Sequence, residues 1–182
     1  MSGITWDRDI FEKLILEHRR AATKFAFGFL RNIEDAEDIV QEAFADIYLK
    51  TGKYKGKSSF KTYLFAIIKY KCWNMRKKKV WPVMDNSEIC DFLPGPEERL
   101  IRNETQEELR AKIRLLKPAV QIALYLFYFE EFTIRDIALV LGKREGSVKT
   151  LIHRARRELG KYYEKEEEDG RPRIRQNRLA EN

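Results

Sequence analysis

The stretch from Thr133 to Tyr162 constrains this chain more than any other, because it places two short amphipathic helices on either side of a glycine. Thr133, followed three residues on by Asp136, is a capping signature that satisfies backbone donors left unpaired at a helix start. Ile134, Ile137, Ala138 and Leu141 then recur at helical spacing, so one face can pack. Gly142 supplies the stop, since a residue without a side chain tolerates the left-handed conformation that ends helices. In the next helix Val148, Ile152, Ala155 and Leu159 form an apolar stripe, and Ser147, Lys149, Thr150, His153, Arg154 and Arg157 project elsewhere. Those six are donors suited to phosphates and to base edges in a major groove. Two readings stand at this point: a helix-turn-helix with a recognition helix, or a helical hairpin with a solvated basic face.

The length of 182 residues at 43% hydrophobic content allows one compact domain or two small ones. With 36 basic against 29 acidic residues the net charge is +7, which favours polyanionic partners without separating nucleic acid from an acidic membrane surface. Cys72 and Cys90 are too few and too far apart for a zinc knuckle or a disulfide framework, and His18 and His153 lie nowhere near them. No metal and no cofactor is implied, and two reduced thiols in a cytoplasm are expected. Asp7, Arg8, Asp9, Glu12 and Lys13 interrupt the N-terminal apolar residues, so no signal peptide is expected. The apolar run Ala119 to Phe129 contains Gln121 and falls short of the roughly 20 residues of a membrane span.

Helical periodicity covers most of the chain, and no sustained strand-like alternation occurs. The expectation is an all-α protein of two small helical domains. The first, residues 1–79, holds helices over Arg8 to Leu30, Ile33 to Lys50 and Ser59 to Lys78, punctuated at Asn32 and before Ser59. From 80 to 98 the periodicity fails among Pro82, Pro94, Gly95, Pro96 and several acids, the composition of a flexible linker. The second domain spans 99–163, with Pro118 suited to a first helical turn. Residues 164–182 offer almost nothing apolar and are expected to be a disordered tail.

Charge divides the first domain. From Asn32 to Leu49 there are six acids and no base, and Asp35, Asp38, Gln41, Glu42 and Asp46 share one side of a helix whose other side is Ala36, Ile39, Val40, Ala43, Phe44, Ile47 and Tyr48. An acid-only face in a basic protein suits a protein partner, or is an ordinary solvated face helped by negative charge near a helix start. From Lys53 to Lys79 the sign reverses, with ten bases, no acid, and Tyr54, Phe60, Tyr63, Phe65, Tyr70 and Trp73 threaded between them. Phe60, Leu64, Ile67, Ile68 and Met75 make a core stripe, while Phe65, Lys69, Trp73 and Arg76 align on another face. Aromatics beside lysines suit single-stranded nucleic acid, because rings stack on bases while cations hold the backbone; the same rings also suit a three-helix core.

Together these blocks resemble a small bacterial sigma factor of the extracytoplasmic-function type, in which the second and fourth sigma domains are joined by a linker. The resemblance runs from about Ile10 to Tyr163. It is most specific over Asn32 to Phe44, similar to the family's polymerase-binding helix, and over Ile137 to Gly142, Gly146 to Thr150 and His153 to Arg156, similar to its fourth-domain helix-turn-helix. It implies that Asp35, Asp38, Gln41, Glu42 and Phe44 grip the clamp helices of core RNA polymerase. It places Lys61, Tyr63, Phe65, Lys69, Trp73, Asn74 and Arg76 on the helix that opens and reads the −10 element of promoter DNA. Ser147, Lys149, Thr150, His153, Arg154 and Arg157 fall where the family reads the −35 element. A linker threading the polymerase and a regulatory anti-sigma factor, often membrane-bound, are implied in the same way. The chain departs from the family pattern at Ala66 to Tyr70, at Asn74, and at Leu151, which replaces a frequent arginine.

Such a subunit makes and breaks no covalent bond. A linker of about 19 residues reaches roughly 60 Å, comparable with about 17 base pairs at roughly 3.4 Å each, and tethering both modules multiplies their weak separate affinities. The principal alternative is a stand-alone helix-turn-helix regulator, which would dimerise on a palindromic site. A nucleic-acid-processing enzyme lacks support, because the sequence has no paired carboxylates beside a metal-ligand cluster, no glycine-rich phosphate loop and no nucleophile-base arrangement.

Overall fold

The computed structural model describes residues 7–50, 54–78 and 111–168. Every regular element among them is a helix: α1 (Arg8–Leu30), α2 (Ile33–Leu49), α3 (Phe60–Lys78), α4 (Pro118–Tyr128), α5 (Ile134–Leu141) and α6 (Glu145–Glu168). The fold is all-α, as the periodicity predicts, with helix limits within a residue of expectation in the first domain. The expected linker lies outside the described residues.

Local chemistry sets the helix ends. Asp7 Oδ1 accepts from the amides of Asp9 and Ile10 at 3.0 and 3.3 Å and starts α1. Arg31 ends it in the left-handed region, φ 56°, donating its amide to the Phe27 carbonyl. Asn32 Oδ1 accepts from the Asp35 amide at 2.9 Å and starts α2 immediately, so α1 and α2 form a tight antiparallel hairpin. Ser59 Oγ accepts from the Thr62 amide at 3.1 Å at the head of α3. Each such cap contributes about 0.5 to 2 kcal/mol.

The first core is aromatic. Phe25 and Phe29 of α1 meet edge to face at 5.1 Å, and Phe25 stacks on Phe65 of α3 at 4.7 Å. Phe11, Phe44 and Phe60 join the three helices at the other end. Leu64, Ile68 and Cys72 of α3 are fully buried and share one core with Val40, Ala43 and Ile47 of α2 and the aromatic rings. Burying one Phe side chain contributes about 1.5 to 3 kcal/mol, so a handful of rings suffices for a domain of this size. Outside the core, Lys71 of α3 reaches Asp46 and Glu42 of α2 at 2.8 and 3.0 Å.

In the second domain Pro118 occupies the first turn of α4. Gln121, the polar break in the apolar run, is 3% exposed, and its Nε2 donates to the Arg114 and Leu116 carbonyls, holding the preceding helical residues 111–115 against α4. Thr133 caps α5, and Gly142, φ 65°, closes it with Lys143 donating back to Ala138. Val148, Ile152 and Ala155 of α6 pack inward. Arg156 Nε donates to the Tyr128 hydroxyl at 2.7 Å and lies over the Phe127 ring, fixing α6 to α4. Helix α6 continues through Glu164–Glu168, five residues past the expected start of the tail, in a segment whose Glu and Lys residues have high helix propensity.

The two domains touch. Helix α3 packs along α5, with Phe65 against Phe132 at 5.2 Å and Phe25 stacked on Tyr125 at 6.1 Å. Lys61 Nζ pairs with Glu130 Oε2 at 2.8 Å, and Thr62 Oγ1 donates to Asp136 Oδ1 at 2.9 Å. No helix among the described residues is long and apolar enough to cross a membrane.

Candidate docking and nucleic-acid surfaces

Three surfaces follow from this packing. On α2 the inward stripe leaves Asp38, Gln41 and Glu42 exposed and Asp35 half-buried beside the start of the helix. The acids are not equivalent. Hydrogen bonds from Lys50 and Lys71 hold the Asp46 carboxyl down at about 2. Burial works against the Lys71 ammonium, but its hydrogen bonds to Asp46 and Glu42 raise it. Asp46, on the same side in the sequence, is thus engaged within the domain, and Glu42 partly so, while Asp38 and Gln41 face outward. Phe44 is 5% exposed: its ring sits between Phe11 and Phe60 and supports the surface from beneath. Beside the acids, a groove of about 760 Å³ runs between α1 and α2 over Phe11, Ile15, Val40, Gln41, Phe44 and Tyr48.

The second surface is α3, and here the structure separates residues that share a face on a helical wheel. Trp73 is 43% exposed and Tyr70, not singled out from sequence as a contact, is 66% exposed. Phe65 is fully buried, because the α5 side of the second domain covers it. Lys61 is half-buried in its pair with Glu130, with Phe132 beneath its ammonium at 5.1 Å. Lys69 is half-buried, and burial, then the proximity of Lys143, hold its ammonium below the usual value. Tyr63 is half-buried against Tyr54, Asn74 is half-buried, and Arg76 donates Nη1 to the Phe29 carbonyl at the end of α1. Periodicity could not foresee this division, since Glu130 and Phe132, which meet Lys61 and Phe65, come from the other domain.

The third surface is the simplest. Ser147, Lys149, Thr150, His153, Arg154 and Arg157 are all exposed on α6, opposite Val148, Ile152 and Ala155. Lys149, Thr150, His153, Arg154 and Arg157 border one shallow concavity. Thr150 Oγ1 donates to the Gly146 carbonyl at 2.9 Å. Leu151 is half-buried on the same helix.

Comparison with known proteins agrees with both halves. Residues 14–81 match sigma-70 region 2, and residues 106–159 match sigma-70 region 4. The chain belongs to the extracytoplasmic-function family of RNA polymerase sigma factors. The sigma factor is 29% identical to RNA polymerase sigma factor YlaC of Bacillus subtilis over 169 residues, 90% of this chain and 98% of that protein. It is 28% identical to the RNA polymerase sigma-H factor of Pseudomonas aeruginosa over 167 residues, 85% and 86% of the two chains. Its fold matches that of the sigma factor RpoE, solved in complex with the anti-sigma factor NepR from Bartonella quintana, at a TM-score of 0.64, 22% identity, and 85% and 96% coverage. This sigma factor therefore directs RNA polymerase to promoters, with the region 2 bundle and the region 4 helix-turn-helix as its working parts. Among the described residues no group of His, Cys, Asp and Glu is arranged to hold a metal ion.

Proposed function

We propose that the three surfaces divide the work of initiation. The exposed edge of α2, with Asp35, Asp38, Gln41 and Glu42, docks on the clamp helices of core RNA polymerase, and Phe44 holds that edge in place. Helix α3 opens and reads the −10 element, with Trp73 and Tyr70 as stacking rings and Lys61, Tyr63, Phe65, Lys69, Asn74 and Arg76 around them. Helix α6 reads the −35 element through Ser147, Lys149, Thr150, His153, Arg154 and Arg157. The protein works in the cytoplasm without catalytic chemistry of its own, and a membrane-bound anti-sigma factor restrains it.

The observation that supports this reading is the exposure of opposite charges on separate helices. An acid-only edge on α2 repels DNA and suits a protein surface, whereas the basic face of α6 suits phosphates and base edges. Run-off transcription with purified core polymerase on genomic fragments tests it. Asp38→Arg abolishes association with core while the circular dichroism melt is unchanged. Arg154→Ala keeps association and weakens promoter use by about 1 to 3 kcal/mol, the range for a base-reading side chain. If charge reversal at Asp38 leaves polymerase affinity untouched, the docking assignment is wrong. Pull-down from the native cell tests the restraint, since an anti-sigma factor should co-purify with the uninduced protein.

A further inference from the structure

Helix α3 carries a cation that the assignment of DNA contacts leaves out. Lys71 follows the exposed ring of Tyr70 and precedes Asn74 by one helical turn, so it borders the face assigned to the −10 element. Its ammonium is already engaged. Nζ lies 2.8 Å from Asp46 Oδ2 and 3.0 Å from Glu42 Oε2 of α2, and the side chain is 18% exposed. Lys71 thus joins the helix assigned to polymerase to the helix assigned to DNA.

The two carboxylates hold it unequally. Asp46 is 32% exposed and also accepts from Lys50, whereas Glu42 is 62% exposed and lies on the docking edge. In the free protein the cluster balances, with Glu42 and Asp46 against Lys50 and Lys71. Water and salt screen an ion pair as exposed as that of Glu42, so a cation on a docked partner can draw Glu42 away from Lys71. What then remains is one carboxylate shared by two ammoniums, which leaves positive charge on α3 beside the exposed rings. Lysine suits such a change, because its charge sits at the end of a flexible four-carbon stem and binds phosphate as a point charge, without fixed geometry.

We propose that Lys71 is a phosphate contact released by docking: tied to Glu42 and Asp46 in the free protein, its ammonium passes to a phosphate of the opened −10 strand once core polymerase engages Glu42. Helix α3 then grips the separated strand more tightly in the assembled enzyme than alone. The proposal rests on the assignment of α2 to polymerase and α3 to DNA, and the experiment separates its failure from theirs.

The test measures binding of the full chain, alone and assembled with core polymerase, to the single non-template strand of a promoter found by run-off transcription, over a range of salt. In the assembled enzyme Lys71→Gln should make the plot of log affinity against log salt shallower by about 0.7, the loss of one single-strand phosphate contact, and Lys71→Arg should keep the parent slope. In the free chain Lys71→Gln should leave the slope unchanged. Glu42→Gln should steepen it there by about 0.7, and adding Lys71→Gln should abolish that gain. Glu37→Gln, which removes an equal charge from another exposed position on α2, should not steepen it. If Lys71→Gln changes the slope equally with and without polymerase, the lysine is a constant contact and the proposal is overturned. If it changes neither slope, the lysine only ties two helices together and the proposal is overturned again. A Glu42→Gln effect no larger than that of Glu37→Gln overturns it as well. In each of these cases weaker binding by Trp73→Ala keeps α3 as a DNA surface, whereas Trp73→Ala without effect removes that assignment too. Should Lys71→Gln fail to fold by circular dichroism, the comparison of Glu42→Gln with Glu37→Gln decides.

Discussion

Phe44 discriminates between a contact residue and a supporting one. It lies in the middle of the family's polymerase-binding motif, yet its ring is 5% exposed, 6.2 Å from Phe11 edge to face and 6.4 Å from Phe60 in a stacked arrangement. Truncation to alanine removes a nearly buried ring from a small core, which costs about 3 to 5 kcal/mol. For a domain of this size that lowers the melting midpoint by more than about 10 °C. Phe44→Leu keeps most of the volume and should cost less than about 1.5 kcal/mol. Polymerase affinity, followed by fluorescence anisotropy of labelled protein titrated with core enzyme at 10 °C, should be near normal for Phe44→Leu. Asp38→Arg should show the converse, a stability change within about 0.5 kcal/mol, as for other surface substitutions, with affinity lost. The reasoning is refuted if Phe44→Leu melts normally but no longer binds core polymerase, since the ring would then be a contact in its own right.

Trp73→Ala should leave the melting curve unchanged and slow open-complex formation, removing about 1 to 3 kcal/mol of base stacking; permanganate reactivity of the −10 thymines reads this, and a pre-melted template should restore activity. At Gly142 an added methyl meets no atom within 4 Å, so Gly142→Ala carries only the left-handed backbone penalty of about 1 to 2 kcal/mol, seen as a lower denaturation midpoint with the fold retained. Asp46 is held down at about 2 by Lys50 and Lys71. Because its folded value lies below the unfolded one, its contribution is complete above about pH 4 and is lost as the pH falls through 2. Asp46→Asn should therefore flatten the acid limb of a stability-pH profile in that window. Burial holds the His18 imidazole below its usual value despite the nearby Glu17, with Lys61 acting in the same direction as burial and Glu130 against it. Stability from this group is present above about pH 6.5 and declines as the pH falls through the folded value, a decline that His18→Gln should remove.

Much of the architecture is legible in the sequence, and the reasons are particular. Asn32, Thr133, Pro118 and Gly142 act within one helical turn, so their identities mark helix ends directly. The stripe Val148, Ile152 and Ala155 needs only a period to be recognised, and the exposed basic residues of α6 follow from it by exclusion. Gln121 read as an interruption of an apolar run, but the carbonyls of Arg114 and Leu116 that explain it emerge only in three dimensions. The aromatics of α3 were the least legible. A ring carries the same sequence signature whether it lines a core, as Phe60 does, or faces outward, as Trp73 does.

By itself the sequence determined the helices, their caps, the two domains and the sign of charge on each face, because interactions between residues three or four apart decide all of these. Only the tertiary structure decided that Lys61 meets Glu130 and Thr62 meets Asp136, partners 69 and 74 positions apart. Contacts of that range leave no periodic trace in a chain, since the packing of whole helices brings them together and each residue alone is unremarked. Whether Lys61 and Phe65 of α3 are covered therefore depends on where the other domain rests.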